Sequence, residues 1–387
     1  MIPTAVISPR GEERLRRGHP WIYRADVADI AAEPGDVVDV LGPRQRFLGR
    51  AFYSEASQIS LRVITRGEED VDAAFWRTRL AAAIDFRTRL GIDASAYRLV
   101  HAEGDLLPSL IVDRYADVLV VQALSQGMDR LLPSIVPMLV EATGATGVLA
   151  RHDARVRALE GLEQRVDVLD GDVPEAIAVR DGTVEYAVDL RHGQKTGLFL
   201  DQRENRAAAA QYASGRVLDC FSYHGGFALT LAPHCDRVEA VDVSADAVKT
   251  ITANAARNRR SNIDAREANV FDDLRHLEKT GERYDTIVLD PPAFAKNKAS
   301  VEKALSGYKE INLRAMRLLN PGGFLITCSC SYNVDEATFA EVVYDASVDS
   351  HTQVTVVEKR MQGRDHPVLL GVPETYYLKC FILRRVS

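Results

Sequence analysis

Cysteine is scarce in this chain. The 387 residues hold five, at positions 220, 235, 328, 330 and 380. An odd, scattered set does not build a disulfide framework. There is no Cys-x-x-Cys pair and no histidine-rich cluster, so no metal site is expected. No apolar run approaches the ~20 residues of a membrane helix. The first 17 residues are too short in apolar character for a signal peptide, and no small-residue cleavage site follows. Cytoplasm is the expected compartment, with no membrane partner. An excess of positive charge is also lacking. The net charge is −7, which by itself does not suggest a nucleic-acid binder. Repeats and low-complexity segments are absent, as is the GxGxxG dinucleotide fingerprint.

The charge is uneven. Residues 1–67 carry ten arginines against eight carboxylates, leaving −9 for the remainder. A weakly basic N-terminal module on an acidic body is compatible with RNA binding. Within that module Val37–Leu41, Phe47–Tyr53 and Gln58–Ile64 read as short strands separated by Gly and Pro, the pattern of a small barrel. Residues 68–175 read as an α+β middle unit. Helices are expected over Ala73–Leu90 and about Met128–Val140, a hairpin over Leu110–Val112 and Val118–Ala123, and a strand at Gly147–Ala150.

From about residue 176 to 387 the pattern becomes regular β/α alternation. Strands are expected at Val217–Phe221, Val238–Asp242, Ala265–Ala268, Thr286–Asp290 and Phe324–Thr327, with helices such as Ala245–Asn258 and Val301–Leu319 between them. Asn320-Pro321-Gly322-Gly323 reads as the close of the last helix. The whole predicts a parallel, Rossmann-like α/β sheet.

The strand ends carry the chemistry. Asp219, Phe221, Ser222, Tyr223, Gly225 and Gly226 form the first strand-to-helix turn, where small residues let backbone approach a ligand. Asp242, with Val243 behind it, ends the next strand and can accept both ribose hydroxyls. Without a pyrophosphate cradle, an adenosyl ligand lacking phosphates fits best, and S-adenosylmethionine is the cofactor expected. Asp219 is placed to hold its amino group and Asn269 to read the adenine edge. Asp290-Pro291-Pro292-Ala293-Phe294 and Thr327-Cys328-Ser329-Cys330-Ser331 follow two further strands, so a carboxylate and a thiol can face one crevice. A thiolate can add to a pyrimidine, and an Asp can steer the ring. Cys328 lies on the same face as Cys330 if the strand continues.

Several longer motifs, in order, mark a family. They are Arg17–Tyr23, Phe47–Tyr53, Gly104–Tyr115, Lys195–Arg203, Asp219–Phe227, Asp290–Pro292, Gly307–Asn312, Ser329–Ser331, Asp365–Val368 and Tyr377–Lys379. On these the chain resembles, along its whole length, the bacterial 23S ribosomal RNA methyltransferases that make 5-methylcytosine and carry an N-terminal PUA domain. The resemblance implies a PUA domain at 1–67, a middle domain at 68–175 and a class I methyltransferase domain at 176–387. It also implies an RNA partner, as free rRNA or an assembly intermediate, and a monomer or homodimer. Cys330 would attack C6 of cytosine while Asp290 holds N3. Gln202 and Arg203 would touch cofactor or RNA. Arg17, Trp21, Lys195, Pro291, Pro292, Phe294 and Lys309 would meet the RNA, with Lys309 or a water as candidate base for the C5 proton. Two other readings stay open. One is a guanine N-methyltransferase using Asp290 without covalent catalysis. The other is a non-catalytic PUA-type RNA-binding or assembly factor.

Overall fold

The computed structural model describes residues 2–193, 195–295 and 298–387. These form two compact units. One comprises residues 1–179, 187–200 and 364–375, and the other 180–186, 201–363 and 376–387.

The second unit is built on a seven-stranded sheet. Its strands are β1 (Arg216–Cys220), β2 (Arg237–Asp242), β3 (Ile263–Glu267), β4 (Tyr284–Leu289), β5 (Leu319–Ser329), β6 (Val354–Arg360) and β7 (Lys379–Arg385), in the spatial order β3-β2-β1-β4-β5-β7-β6. The first five are parallel; β7 runs antiparallel to β5 and to β6. The helices are α1 (Arg203–Ala209), α2 (Gly226–Leu231), α3 (Ala245–Arg257), α4 (Val270–Thr280), α5 (Val301–Leu318) and α6 (Glu336–Ser350). Both sheet faces are covered. Leu218, Cys220, Ile287, Leu289 and Leu325 pack with α4, α5 and α6, while Val217, Val288, Ile326 and Cys328 pack with the α1–α3 side. Burial on two faces explains why these strands read as continuous apolar runs. Each large side chain so buried contributes ~1.5–3 kcal/mol. The chain order reverses at β1, whose neighbours are β2 and β4. The crevice beyond the C-terminal ends of β1 and β4 is therefore the topological switch point.

One local expectation is corrected. Asn320-Pro321-Gly322-Gly323 does not cap α5; Leu319 is already extended, and the four residues lie at the start of β5. The β4–β5 register shifts there, Gly322 takes φ +84°, and Asn320 Nδ2 donates to Asp285 Oδ1 at 2.8 Å. The glycines serve a strand irregularity. A Cβ on Gly323 would stand 2.7 Å from the Asp285 carbonyl oxygen.

The first unit holds two sheets. Six strands between Thr4 and Thr65 form one, around Ala5, Ile7, Ile22, Val38, Val40 and Leu61. The second has five strands. They include the hairpin Leu110–Tyr115 and Val118–Ala123, flanked by Ala96–His101 and Gly147–Arg151, with Val166–Gly171 at one edge. Helices Ala73–Leu90 and Gln126–Thr143 pack on it through Trp76, Leu80, Leu132 and Ile135. No helix among the described residues is long and apolar enough to cross a membrane.

Candidate active site

The turn after β1 is built around Asp219. Its Oδ2 accepts from Ser222 Oγ at 2.6 Å and from Ala228 N at 3.0 Å, whereas its buried Oδ1 has no hydrogen-bond partner. Phe221 and Tyr223 adopt φ +62° and +50°, and Gly225 φ +80°. Two non-glycine residues in the left-handed region mark a turn held by its surroundings, as at ligand-binding loops. Burial pushes the Asp219 carboxyl up to about 7, and the charges of Asp290 and Asp242 add to the rise against its two hydrogen bonds. Three carboxylates on adjacent strand ends thus share one electrostatic neighbourhood. Asp242 accepts from Tyr223 N and Ser244 N, both at 3.0 Å, which fixes its plane. Val243 beside it is 66% exposed, a flat apolar surface at a strand end. Gly226 admits Arg206, whose Cδ would lie 3.2 Å from an added Cβ.

Asn269 caps α4, its Oδ1 accepting from Phe271 N at 3.0 Å and Asp272 N at 3.4 Å. Only its amide nitrogen can then address an adenine ring.

These residues fit S-adenosylmethionine on chemical grounds. The ligand is a net cation bearing a sulfonium and an ammonium. An unpartnered carboxylate oxygen, buried among further carboxylates, is an acceptor for such an ammonium.

β4 delivers Asp290, and its neighbour β5 delivers Cys330. The Cys330 Sγ lies 3.7 Å from the Pro291 carbonyl oxygen. β5 stops at Ser329, so the two cysteines do not share a face. Cys328 is 1% exposed and pairs across the ladder with Cys380, among Val288, Ile326 and Ile382. Burial pushes its thiol well above the ordinary range. Cys328 is therefore a core residue. Ser331 ties the loop down: its Oγ meets Tyr308 OH at 2.8 Å and accepts from Ala295 N at 3.1 Å.

Gln202 occupies a place the motif did not specify. Its Nε2 donates to Asp290 Oδ1 at 2.8 Å. Its Oε1 accepts from Asn205 Nδ2 at 2.7 Å, and Asn205 Oδ1 accepts from Arg360 Nε at 3.1 Å. This chain fixes which end of the Gln202 amide faces the carboxylate. Replacing Gln202 with Leu is expected to slow methyl transfer tenfold or more, from the ~1.5–3 kcal/mol of one hydrogen bond to a charged group. Cofactor affinity should be retained, as checked by calorimetry beside a methyl-incorporation assay.

Other expected site residues are placed differently. Lys309 is corrected: its ammonium pairs with Asp349 at 2.8 Å and Asp345 at 3.9 Å, on the surface between α5 and α6. Tyr308 turns inward to Ser331, and its helical neighbour consequently turns away. Phe294 packs 4.7 Å from Tyr308 and near Phe271 and Phe221, anchoring the Asp290 loop rather than standing open. Pro291 is buried and Pro292 exposed. Arg203 is buried at the start of α1.

In the first unit, Lys195–Phe199 opens the Lys195–Arg203 motif. It is a turn with Lys195 at φ +52° and Gly197 at φ +143°. Its partners impose that path: Thr196 Oγ1 donates to Asp113 Oδ2 at 2.6 Å, and Leu198 N donates to Tyr115 OH at 2.9 Å. The Lys195 ammonium sits over the Phe199 ring at 4.3 Å. Arg17 is exposed and paired with Glu13, and Trp21 Nε1 donates to Glu103 at 3.0 Å.

Comparison with known proteins identifies the family. Residues 6–66 match a PUA-like domain, and residues 98–369 match the S-adenosylmethionine-dependent methyltransferase family. The chain belongs to that methyltransferase family. "Ribosomal RNA large subunit methyltransferase I" of Tolumonas auensis is 40% identical over 397 residues, covering 100% of both chains. The protein of the same name from Shewanella frigidimarina is 40% identical over 389 residues, 98% of each. Among solved structures, a Streptococcus mutans protein assigned as a SAM-dependent methyltransferase superposes with TM-score 0.85 at 21% identity, covering 99% of this chain and 100% of that one. Another, assigned as a methyltransferase and solved with SAH, gives 0.86 at 22%, with the same coverage. The likeness to these two is one of fold. The cofactor of this methyltransferase is S-adenosylmethionine, and the carboxylate-lined turn after β1 is the feature of the chain that suits it.

Proposed function

We propose that this methyltransferase acts on large-subunit ribosomal RNA and methylates cytosine at C5 through a covalent adduct with Cys330. One observation carries the reading: Cys330 stands one residue beyond β5, against the Asp290 loop, while Cys328 is sealed in the core. The RNA substrate is supported by the names of the 40%-identical relatives and by the PUA-like domain.

S-adenosylmethionine supplies an electrophilic methyl group. Cys330 thiolate adds to C6 of the flipped-out base, and Asp290 gives a proton to N3 as charge moves onto the ring. C5 then takes the methyl group, leaving S-adenosylhomocysteine. The N3 proton returns to the Asp290 carboxylate, a water takes the C5 proton, and the C6–S bond breaks to expel the Cys330 thiolate, which restores the aromatic ring. Gln202 keeps the Asp290 carboxyl oriented through these steps. Arg17, Trp21 and Lys195 are proposed to contact the RNA, with Pro291 and Pro292 bounding the base.

Mass spectrometry of ribosomal RNA from cells with and without the gene tests this directly. One 5-methylcytosine should vanish on deletion and return with the wild-type gene. Loss of an N-methylguanine instead would refute the assignment.

A further inference from the structure

A thiol titrates near ~8.5, so a nucleophilic Cys330 needs a cation to favour its thiolate. Lys379, the first residue of β7, lies opposite Ser329 in the β5–β7 ladder. It is 1% exposed. Its Nζ donates to the Ser331 carbonyl at 2.8 Å and the Tyr377 carbonyl at 3.0 Å. It thus grips the residue directly after Cys330. Among the described residues, no carboxylate lies within 4.0 Å of this ammonium. A buried ammonium with only neutral acceptors is costly unless an anion offsets it.

The acidic groups around Lys379 are Cys330, which follows β5, and Asp335 and Glu336, which open α6. Tyr308 on α5 lies beside Cys330 and bonds Ser331. Asp335 accepts from Thr338 N at 2.8 Å as the α6 cap. Glu336 is held by Lys359 Nζ at 2.9 Å and Tyr376 OH at 2.7 Å. The two carboxylates are therefore engaged elsewhere, and Cys330 is left as the anion for Lys379. Burial draws the Lys379 ammonium down to about 8, with the Cys330 charge the leading opposing influence.

We propose that Lys379 is a positioning residue that holds Cys330 as the thiolate, its ammonium clamping the Ser331 carbonyl so that the charge stays beside the sulfur. This rests on Cys330 being the nucleophile, but its test needs neither RNA nor cofactor. Iodoacetamide alkylation of Cys330 is followed against pH by peptide-resolved mass spectrometry on the full chain. Wild-type Cys330 should titrate below the ordinary ~8.5. In Lys379→Met the midpoint should rise by about one unit or more, and alkylation at pH 7 should slow several-fold. The slowing is less than the loss of thiolate, because a more basic thiolate is the better nucleophile. Lys379→Arg should keep the low midpoint. A folded Lys379→Met with an unchanged profile overturns the proposal. If that variant does not fold, the wild-type profile still decides, since a midpoint at or above ~8.5 overturns it. Failure of the covalent mechanism would look different: methylation would persist in Cys330→Ala whatever the thiol titration shows.

Discussion

Alanine at Cys330 is expected to lower methyl transfer by about 10⁴-fold or more, the scale seen when a covalent nucleophile is removed. S-adenosylmethionine affinity should stay within a few-fold of wild type, because Asp219 and Asp242, the carboxylates proposed to hold the cofactor, lie on β1 and β2 rather than on β5. Cys328→Ala separates the two thiols. It should cost some stability by opening space beside Cys380, ~1 kcal/mol for a small buried group, and leave most of the turnover. Methyl incorporation into RNA and calorimetric titration of the cofactor make the comparison. Full turnover in Cys330→Ala would remove the covalent mechanism and return attention to Asp290 alone.

Replacing Asp219 with Asn should weaken S-adenosylmethionine binding about 100-fold, the effect of losing one buried charge-assisted contact. The pH dependence carries a definite sign. Burial raises the Asp219 carboxyl to about 7 in the folded chain, above the ordinary carboxylate value. Between about 4 and 7 the folded chain therefore binds more protons than the unfolded one, and this residue's contribution to stability falls as pH rises through that window. A bound ammonium favours the ionised carboxylate. Added cofactor should consequently raise the melting temperature more at pH 8 than at pH 6. The Asn variant should lose that difference and, without cofactor, should melt no lower than wild type at pH 8. Equal cofactor stabilisation at both pH values would show that Asp219 does not meet the ammonium.

Periodicity and strand-end chemistry went a long way. The parallel strands were legible because two-sided burial makes each a short apolar run bounded by turn residues, and the ends of Ala73–Leu90 were readable from its apolar spacing. Asp219, Asp242 and Asp290 stood out as carboxylates at successive strand ends. Val166–Gly171 escaped notice because its alternation is weak and its residues are mostly exposed. Asn320–Gly323 misled because Pro and Gly stop a helix and also permit an irregular strand, and only the pairing of the flanking Leu319 and Phe324 with Tyr284 and Thr286 separates the two uses.

The order of elements, the carboxylate-lined turn after β1 and the thiol and carboxylate at the ends of neighbouring strands follow from local pattern, since each depends on residues close together in the chain. The role of side chains brought in from afar was decided by tertiary structure alone. Lys379 reaches Ser331 because β7 inserts antiparallel beside β5. Gln202 reaches Asp290 across 88 residues of sequence. Lys309 is drawn off by Asp349 on the adjoining helix. Such contacts are set by strand order and helix packing, which linear spacing does not encode.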